Sequence, residues 1–456
     1  MATNHSTIVT SSYKPRYHVD AMMAMDELRK GLLIDGFDHI VDLERSHGSW
    51  FIEGRTGKAY LDFFTCIASM PIGMNHPKMT DPAFVEYLGK AAINKPSNSD
   101  IYNVEQATFV KTFFALAAPA HFTHSFFIDG GALAVENALK TAMDWKVRRN
   151  FNNGWRSERG HQVLHFEGAF HGRSGYTMSL TNTDPTKTAL FPKFNWPRVS
   201  TPGRSFPETP ERLEETVRKE ALTIRQIKQA FHQHEDDICA IILEPIQGEG
   251  GDVHFRSEFL TQLRTLCDEN DALLIFDEVQ TGVGITGAWW AHEKLGVQPD
   301  LMSFGKKMQV CGILAGPRVD LVEDNVFHTS SRINSTWGGS LVDMVRATKY
   351  LEIIEEEGLV KNADLVGQHL ITRLHELAAR VGEDVITNVR GLGLFCAFDL
   401  PNSTLRNDLL KQLYKNGLLM VGSGSRSLRF RPALNISADL IDQGIDIIER
   451  SLTEIR

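Results

Sequence analysis

DALLIFDEVQTGVGITGAWWAHEKLGVQPDLMSFGKKMQVCGILAG, residues 271–316, contains two short apolar runs that each end in charged residues. The first run, 272–276, is followed by Asp277. The second, 300–304, is followed after one glycine by Lys306. Such runs are typical of parallel strands that are buried on both faces, and in an open α/β sheet ligands bind at the carboxyl edge of these strands. The stretch therefore predicts a carboxylate and an amine at the ligand-binding edge of an α/β sheet.

A carboxylate and an amine at one sheet edge suit pyridoxal phosphate. The aldehyde of this cofactor needs a lysine, and its ring nitrogen needs an anionic partner to stay protonated. Lys306 is the predicted amine and Asp277 the predicted anion, while Lys307 is the alternative amine. An ordinary lysine is protonated and unreactive, so the site must favour the neutral amine. Once the substrate amine displaces it, this lysine is placed to move a proton between substrate and cofactor.

Several motifs in the chain resemble a known family. DEVQTG at 277–282 and the Gly-Lys pair at 305–306 resemble the class III aminotransferases, which have pyridoxal-phosphate fold type I. More narrowly, GKKMQVCGILAG at 305–316 and NSTWGGSLVDMVRA at 334–347 resemble the L-lysine 6-aminotransferases within that family. The resemblance covers nearly the whole chain, and the family's Gly-Lys position favours Lys306 as the amine.

The resemblance implies an α/β fold with two kinds of domain. A large cofactor-binding domain, residues 76–345, is expected to hold a mixed, mostly parallel sheet. A smaller α+β domain is expected from residues 346–456. Residues 1–75 are expected to supply a polar N-terminal arm and another part of the small domain.

Composition and charge are those of an ordinary globular enzyme. The chain has 456 residues, of which 42% are hydrophobic, and its net charge of -9 includes no basic stripe, which excludes a nucleic-acid surface. No apolar signal segment and no run of about 18 apolar residues occurs, so we expect a cytoplasmic protein without a membrane partner. The five cysteines form no CxxC pair. This argues against a zinc site or a disulfide framework, and no metal is predicted.

A glycine turn between a strand and a helix predicts a phosphate site. The apolar residues 126–128 are followed by Asp-Gly-Gly-Ala, and residues 133–146 then have helical spacing. Backbone N–H groups at a helix start, together with the positive end of the helix dipole, attract an anion. The alternative is a simple turn. The family usually has Ser-Gly-Thr-Glu here, so the resemblance implies backbone contacts from Gly131 and Ala132 in place of side-chain contacts.

The resemblance also implies how the cofactor ring is held. Phe170, in the motif EGAFHGR, is expected to stack on one face of the ring, and Val279 to pack against the other. Gln280 is expected to bond the ring hydroxyl. Thr336 is expected to reach the phosphate in a partner subunit, which implies a homodimer with shared active sites. The alternatives are a core phenylalanine at position 170 and a helix cap at 336–340.

Two arginines and a glutamate are expected to accommodate two unlike substrates. Arg173 would bind the distal carboxylate of both substrates, and Arg429 the carboxylate beside the keto carbon of 2-oxoglutarate. Glu249 would pair with Arg429 while an ω-amino donor is bound, so that no buried charge is left unpaired. This glutamate–arginine switch is similar to that of the ω-amino members of the family. The alternative for both arginines is surface ion pairing.

The reaction that the resemblance implies moves the terminal amino group of L-lysine to 2-oxoglutarate. It gives L-glutamate and 2-aminoadipate 6-semialdehyde, which should cyclise. The alternatives are another ω-aminotransferase, for 4-aminobutyrate, ornithine or another diamine, and, more distantly, a racemase or mutase on the same scaffold. A non-catalytic binding module is the alternative from another class, but it would have no reason to keep both Lys306 and Asp277.

Overall fold

The computed structural model describes residues 13–382 and 384–456, so most of the predicted polar arm lies outside the described residues. The helices are α1 (Ala21–Arg29), α2 (Thr65–Ala68), α3 (Pro82–Ile93), α4 (Val104–Leu116), α5 (Gly131–Asn152), α6 (Thr177–Leu180), α7 (Pro210–Gln233), α8 (Ser257–Glu269), α9 (Ala291–Leu295), α10 (Leu341–Glu356), α11 (Leu359–Val381), α12 (Ser403–Lys415) and α13 (Ala438–Ile455). The strands are β1 (Trp50–Ile52), β2 (Ala59–Asp62), β3 (His124–Ile128), β4 (Gln162–Phe166), β5 (Arg198–Val199), β6 (Ile238–Leu243), β7 (Ile246–Gln247), β8 (Val253–His254), β9 (Leu273–Asp277), β10 (Leu301–Phe304), β11 (Cys311–Ala315), β12 (Thr387–Leu392), β13 (Phe395–Asp399), β14 (Leu418–Leu419), β15 (Val421–Ser423) and β16 (Ser427–Phe430). Within the described residues, no helix combines the length and the hydrophobicity needed to cross a membrane.

A seven-stranded sheet in the order β3-β11-β10-β9-β6-β4-β5 forms the centre of the molecule. The strands β10, β9, β6, β4 and β5 are parallel, whereas β11 runs antiparallel to both of its neighbours. The predicted mixed, mostly parallel sheet is therefore confirmed. Ser303 of β10 lies beside Asp277, the last residue of β9, so the two strands end at the same edge. Lys306 follows β10 at that edge.

Helices cover both faces of this sheet because its central strands are apolar on both sides. Ile275 of β9 belongs to one buried cluster with Trp145 of α5. Its neighbour Phe276 points the other way and belongs to a second cluster with Phe259 of α8. Burying one such side chain contributes about 1.5–3 kcal/mol. The strand ends that carry Asp277 and Lys306 are thus anchored from both sides.

Smaller sheets join the two ends of the chain. The strand β2 pairs antiparallel with β1 and parallel with β14, so the N-terminal and C-terminal segments share one sheet. The strands β12, β13, β16 and β15 form a further antiparallel sheet, which carries Arg429. This agrees with a smaller α+β part built from both ends of the chain. The exact division at residues 75 and 345 stays a prediction.

Candidate active site

A cavity of about 430 Å³ lies at the carboxyl edge of the central sheet. Apart from Thr336, every predicted site residue lines this one cavity: Gly131, Ala132, Phe170, Arg173, Glu249, Asp277, Val279, Gln280, Lys306 and Arg429. These residues come from segments far apart in sequence. Most of them follow a strand or begin a helix at the carboxyl edge of the central sheet, and β16 of the smaller antiparallel sheet brings Arg429 to the same cavity.

Lys306 and Lys307 point to different surroundings. Among the described residues, no hydrogen bond or ion pair engages the Lys306 Nζ, which faces the cavity. Burial lowers the pKa of Lys306 from its usual value, the positive charge of Arg429 lowers it further, and Asp277 opposes the shift. Lys307 instead donates from Nζ to the backbone oxygens of Gln280, at 2.8 Å, and Ala68, at 3.4 Å. The unengaged amine at the cavity is that of Lys306.

Asp277 is held rigidly at the cavity wall. Its Oδ1 accepts hydrogen bonds from the Ser303 hydroxyl and the Val279 N–H, both at 3.1 Å. Its Oδ2 lies 2.8 Å from Nδ1 of His171, and both side chains are buried. The His171 backbone N–H donates to Thr181 Oγ1 at 2.9 Å, which fixes the segment. His171 thus contacts the Asp277 oxygen that Ser303 and Val279 leave free.

The first turn of α5 is the predicted phosphate site. The helix begins at Gly131, after Gly130 with φ 102°, and no side chain caps its N–H groups. The first N–H groups of any helix have no intrahelical partner. A Cβ added at Gly131 would lie 3.1 Å from Val279 Cγ1, and one at Gly172 would lie 2.5 Å from the Cβ of Ala132. At Gly172, which has φ 124°, no larger residue fits without a shift of the backbone, and at Gly131 a side chain would crowd Val279. The unpaired N–H groups at the helix start suit a phosphate group.

Glu244 is a cavity residue that the sequence analysis does not predict, and its carboxylate connects two segments of the cavity wall. Its Oε1 accepts the N–H of Phe170 at 3.0 Å, and its Oε2 accepts the N–H of Gly248 at 2.9 Å. Burial raises the pKa of Glu244 to about 7. The sequence feature that could have predicted Glu244 is its position directly after the apolar strand β6, at the same sheet edge as Asp277.

Gln280 and the two arginines of the β16 segment form one cluster. Arg431 donates from Nε to Gln280 Oε1 at 2.9 Å and forms a fully buried ion pair with Asp252. The side-chain oxygen Oε1 of Gln280 thereby accepts a hydrogen bond, which leaves the N–H groups of its side-chain amide as donors to a ligand. Arg429 is only 5% exposed, yet its Nε has no hydrogen-bond partner within residues 13–382 and 384–456, and its Nη1 lies 3.5 Å from Gln280 Oε1. Burial lowers the pKa of Arg429.

Glu249 pairs with Lys187 in this structure and not with Arg429. The predicted Glu249–Arg429 pair, which concerns the state with a bound amino donor, stays a prediction. Arg173 lines the cavity with an exposed side chain, and no ion pair engages it among the described residues. Lys187 ends a short 3-10 helix, Pro185–Lys187, away from the strand ends, so no strand end or motif in the sequence marks it.

Thr336 lies outside the cavity that this chain forms. Its side chain is exposed, and its backbone oxygen accepts a hydrogen bond from Ser99 Oγ at 3.3 Å. Thr336 is therefore the one predicted site residue that does not line the cavity with the others. This placement agrees with a role toward a second copy of the chain, which stays a prediction.

The model of the family Aminotransferase class-III matches residues 35–452. The chain is a class III aminotransferase. L-lysine-epsilon aminotransferase of Mycobacterium tuberculosis is 52% identical to this aminotransferase over 426 residues, which cover 93% of this chain and 94% of that protein. The protein of the same name from Streptomyces clavuligerus is 49% identical over 430 residues, covering 94% and 93%. Human mitochondrial 4-aminobutyrate aminotransferase is 30% identical over 410 residues, covering 86% and 80%.

Solved structures of aminotransferases have the same fold. Lysine aminotransferase from M. tuberculosis superposes with a TM-score of 0.94 at 49% identity, covering 96% of this chain and 100% of that chain. The omega transaminase from Pseudomonas jessenii superposes with a TM-score of 0.81 at 20% identity, covering 94% and 97%, which shows the fold alone. The predicted pyridoxal-phosphate fold type I is confirmed.

Pyridoxal phosphate is the cofactor of class III aminotransferases and so of this enzyme. The cavity fits each part of that molecule. The unengaged amine of Lys306 suits an aldehyde, the fixed carboxylate of Asp277 suits a protonated ring nitrogen, and the open start of α5 at Gly131 suits a phosphate. Phe170 and Val279 line the same cavity and suit the two faces of a ring. These individual roles stay predictions.

Proposed function

We propose that this aminotransferase moves the ε-amino group of L-lysine to 2-oxoglutarate and releases 2-aminoadipate 6-semialdehyde and L-glutamate. The observation that carries the proposal is Arg429, a buried guanidinium that lines the cavity with Lys306 and has no ion pair among the described residues. A buried cation without a counter-ion is costly, so the site is suited to a substrate carboxylate. A dicarboxylate such as 2-oxoglutarate can engage Arg429 and Arg173 together.

Similarity to named relatives supports lysine as the amino donor. The L-lysine-epsilon aminotransferases are 48–52% identical to this chain over almost its whole length. The 4-aminobutyrate aminotransferases of the nematode Caenorhabditis elegans and of human are 32% and 30% identical. The runner-up donors are therefore 4-aminobutyrate, ornithine and other diamines, since the cofactor residues would serve all of them.

Each residue of the cavity has a separate role in the proposed reaction. When bound, pyridoxal phosphate supplies an aldehyde that bonds amines and a ring that draws electrons from the reacting carbon. In this proposal the Lys306 Nζ takes the proton from the substrate carbon that bears the amine. The Asp277 carboxylate holds a proton on the ring nitrogen, and Phe170 and Val279 exclude water from the two ring faces.

Charge pairing in the proposal distinguishes the two substrates. Arg173 binds the carboxylate at the far end of each substrate, which leaves the reacting carbon near Lys306. 2-Oxoglutarate has a second carboxylate beside its keto carbon, and Arg429 binds it. L-Lysine has none beside its ε-carbon, so Glu249 pairs with Arg429 in that half of the reaction and no buried cation is left unpaired.

L-Lysine alone should bleach the visible absorption band of the purified holoenzyme, because the amino group is transferred and no acceptor is present to return it. Adding 2-oxoglutarate should restore the band. The measurement is an absorption spectrum before and after each addition. L-Ornithine and 4-aminobutyrate, each added at the same concentration as L-lysine, are the comparison donors.

The outcome with these donors decides between the candidates. Bleaching that is faster with ornithine or 4-aminobutyrate than with lysine would move the assignment to the runner-up and keep the mechanism. A band that lysine bleaches but that 2-oxoglutarate does not restore would contradict the proposed acceptor. A holoenzyme without a visible band would contradict the proposed role of Lys306.

We also propose that the enzyme is a homodimer in which Thr336 serves the partner's active site. Exposed apolar side chains lie near it in sequence or structure, namely Ile101, Tyr102, Val104 and Trp337. Such a surface is costly in water unless another chain covers it. Sedimentation equilibrium should give twice the mass of one chain.

A shared site also predicts complementation. Co-expressed subunits carrying Lys306→Ala and Thr336→Ala should show more activity than the mean of the two parents, because a mixed dimer contains one site with neither change. Activity equal to that mean, or sedimentation as a monomer, would contradict the proposal.

A cytoplasmic location completes the proposal. All five cysteines are free thiols, as expected of a protein in a reducing compartment. Recovery of the enzyme in the soluble cytoplasmic fraction of gently lysed source cells tests this location.

A further inference from the structure

Lys187 is a cation beside the active site that the proposed chemistry does not use. It ends a short 3-10 helix, Pro185–Lys187. Its Nζ forms the ion pair with Glu249 and donates to Thr183 Oγ1 at 3.1 Å. The same ammonium lies 5.5 Å from the centre of the Phe170 ring. Lys187 is thus joined to the cavity wall through two of the predicted site residues.

The Lys187–Glu249 pair is sheltered from water. The Lys187 side chain is 16% exposed and the Glu249 side chain 26%. Burial and the positive charges of Arg173 and Arg429 lower the pKa of Lys187, and the negative charge of Asp184 raises it. Charges in such a setting interact more strongly than those of a solvated surface pair. The pairing of Glu249 with Lys187 therefore affects the charge balance of the whole cavity.

Besides the exposed Arg173, two cations at this cavity can pair with Glu249, namely Lys187 and Arg429. Arg429 lines the cavity with Glu249 but has no carboxylate partner in the present arrangement. If Glu249 were left without Lys187, it would be an uncompensated, partly buried carboxylate beside the site where an anionic substrate binds. Such a carboxylate would be drawn to Arg429 and would compete with the substrate.

We propose that Lys187 is the second partner in the Glu249 switch: it holds the Glu249 carboxylate away from Arg429 and so keeps Arg429 open for 2-oxoglutarate. The inference deepens the proposed function and rests on it. The present structure has the arrangement that receives the acceptor. When the lysine donor binds, Glu249 moves to Arg429, and Lys187 retains its hydrogen bond to Thr183.

Removing the charge of Lys187 should shift this two-state balance toward the Glu249–Arg429 pair. The acceptor must then displace Glu249 before it can bind, so its apparent affinity falls by the fraction of open sites. Because the Lys187–Glu249 pair is partly buried, we expect the apparent affinity for 2-oxoglutarate to fall about tenfold. The lysine donor binds the state with the Glu249–Arg429 pair, so the same shift should not weaken its apparent affinity and should strengthen it by up to the same factor.

The test compares Lys187→Met with the unsubstituted holoenzyme. Glutarate is the probe for binding, because it has two carboxylates but no keto group and so cannot react. Calorimetry should show a dissociation constant for glutarate that is about tenfold higher in Lys187→Met. In single half-reactions followed by absorbance, the apparent dissociation constant for 2-oxoglutarate should rise by the same factor, while that for L-lysine should not rise and should fall by up to that factor.

Three further variants separate the switch from a structural role or from direct attraction. Lys187→Arg keeps the charge and should restore glutarate binding. Lys193→Met removes an ammonium of the same segment that donates to the backbone oxygens of Thr188 and Phe191, and it should leave glutarate binding unchanged. In a Glu249→Gln background, Lys187→Met should weaken glutarate binding by no more than about twofold, since no carboxylate is left to compete.

The possible failures are distinguishable. Unchanged glutarate binding in Lys187→Met, together with a raised constant for L-lysine in Glu249→Gln, would reject the role of Lys187 and keep the switch. An unchanged constant for L-lysine in Glu249→Gln would reject the switch and the role of Lys187 with it. A tenfold loss that persists in the Glu249→Gln background, or equal losses in both half-reactions, would show direct attraction or a structural role and overturn the inference.

Discussion

Replacing Lys306 with alanine should lower the rate constant of lysine transamination by about 10⁴-fold or more. The substitution removes the amine that bonds the cofactor aldehyde and also the group that moves the proton. Burial and Arg429 lower the pKa of Lys306, so the neutral, reactive amine forms at a lower pH than in an ordinary lysine. Single-turnover absorbance after mixing with L-lysine measures the loss.

Lys307→Met is the matched control for this prediction. Lys307 is buried against backbone oxygens, including that of Gln280, and does not line the cavity. Borohydride reduction followed by peptide mapping should place the cofactor on residue 306 in both the unsubstituted enzyme and Lys307→Met. The Lys306→Ala variant should not be labelled. Cofactor found on Lys307, or label retained in Lys306→Ala, would refute the assignment.

The fold and most of the cavity follow from patterns that are local in the sequence. The strands β9 and β10 are short apolar runs, and their parallel pairing places the residues that follow them at one edge. This is why Asp277 and Lys306 can be predicted to lie together without knowledge of the intervening chain. All five residues of β9 are buried and the first four are apolar, so a continuous apolar run without alternation marks this strand in the sequence.

The segment Thr65–Ala68 shows what local patterns do not predict. Its φ angles are 41°, 53°, 56° and 58°, so four consecutive non-glycine residues are left-handed. Each such residue costs roughly 1–2 kcal/mol. Tertiary contacts hold the turn: Asp62 Oδ1 accepts two backbone N–H groups at 2.8 Å, and Thr65 Oγ1 donates to the backbone oxygen of Arg431 at 2.6 Å. The turn places Ile67 on the cavity, a position that no residue propensity indicates.

The charge pairs around the cavity also cannot be predicted from the sequence. Alternation along a strand is consistent with Arg429 and Arg431 both reaching Gln280, but it does not say which arginine is already paired. The answer depends on Asp252, far away in the chain, which occupies Arg431 and leaves Arg429 available. The pairing of Glu249 with Lys187 is of the same kind, because it joins two loops.

Asp277→Asn should lower the rate constant of the lysine half-reaction by about 10²–10³-fold, the usual cost of removing one fixed electrostatic contact to the reacting group. The asparagine has nearly the same shape but no charge, so it does not hold a proton on the ring nitrogen. Stopped-flow absorbance with L-lysine measures the effect. Ser303→Ala removes only a 3.1 Å hydrogen bond to Asp277 and should cost about tenfold or less.

A cofactor analogue with a methyl group on the ring nitrogen separates the charge of Asp277 from its other contacts. This nitrogen is permanently positive, so an anionic partner is no longer needed to protect a proton there. Asp277→Ala leaves room for the methyl group and should regain a large part of its lost rate with the analogue, whereas the unsubstituted enzyme should be slowed by the crowding. If the analogue fails to rescue Asp277→Ala although it binds, the main task of the carboxylate would be to position His171, whose Nδ1 lies 2.8 Å away. Rescue of the rate would instead show that the main contribution of Asp277, at the end of β9, is its negative charge.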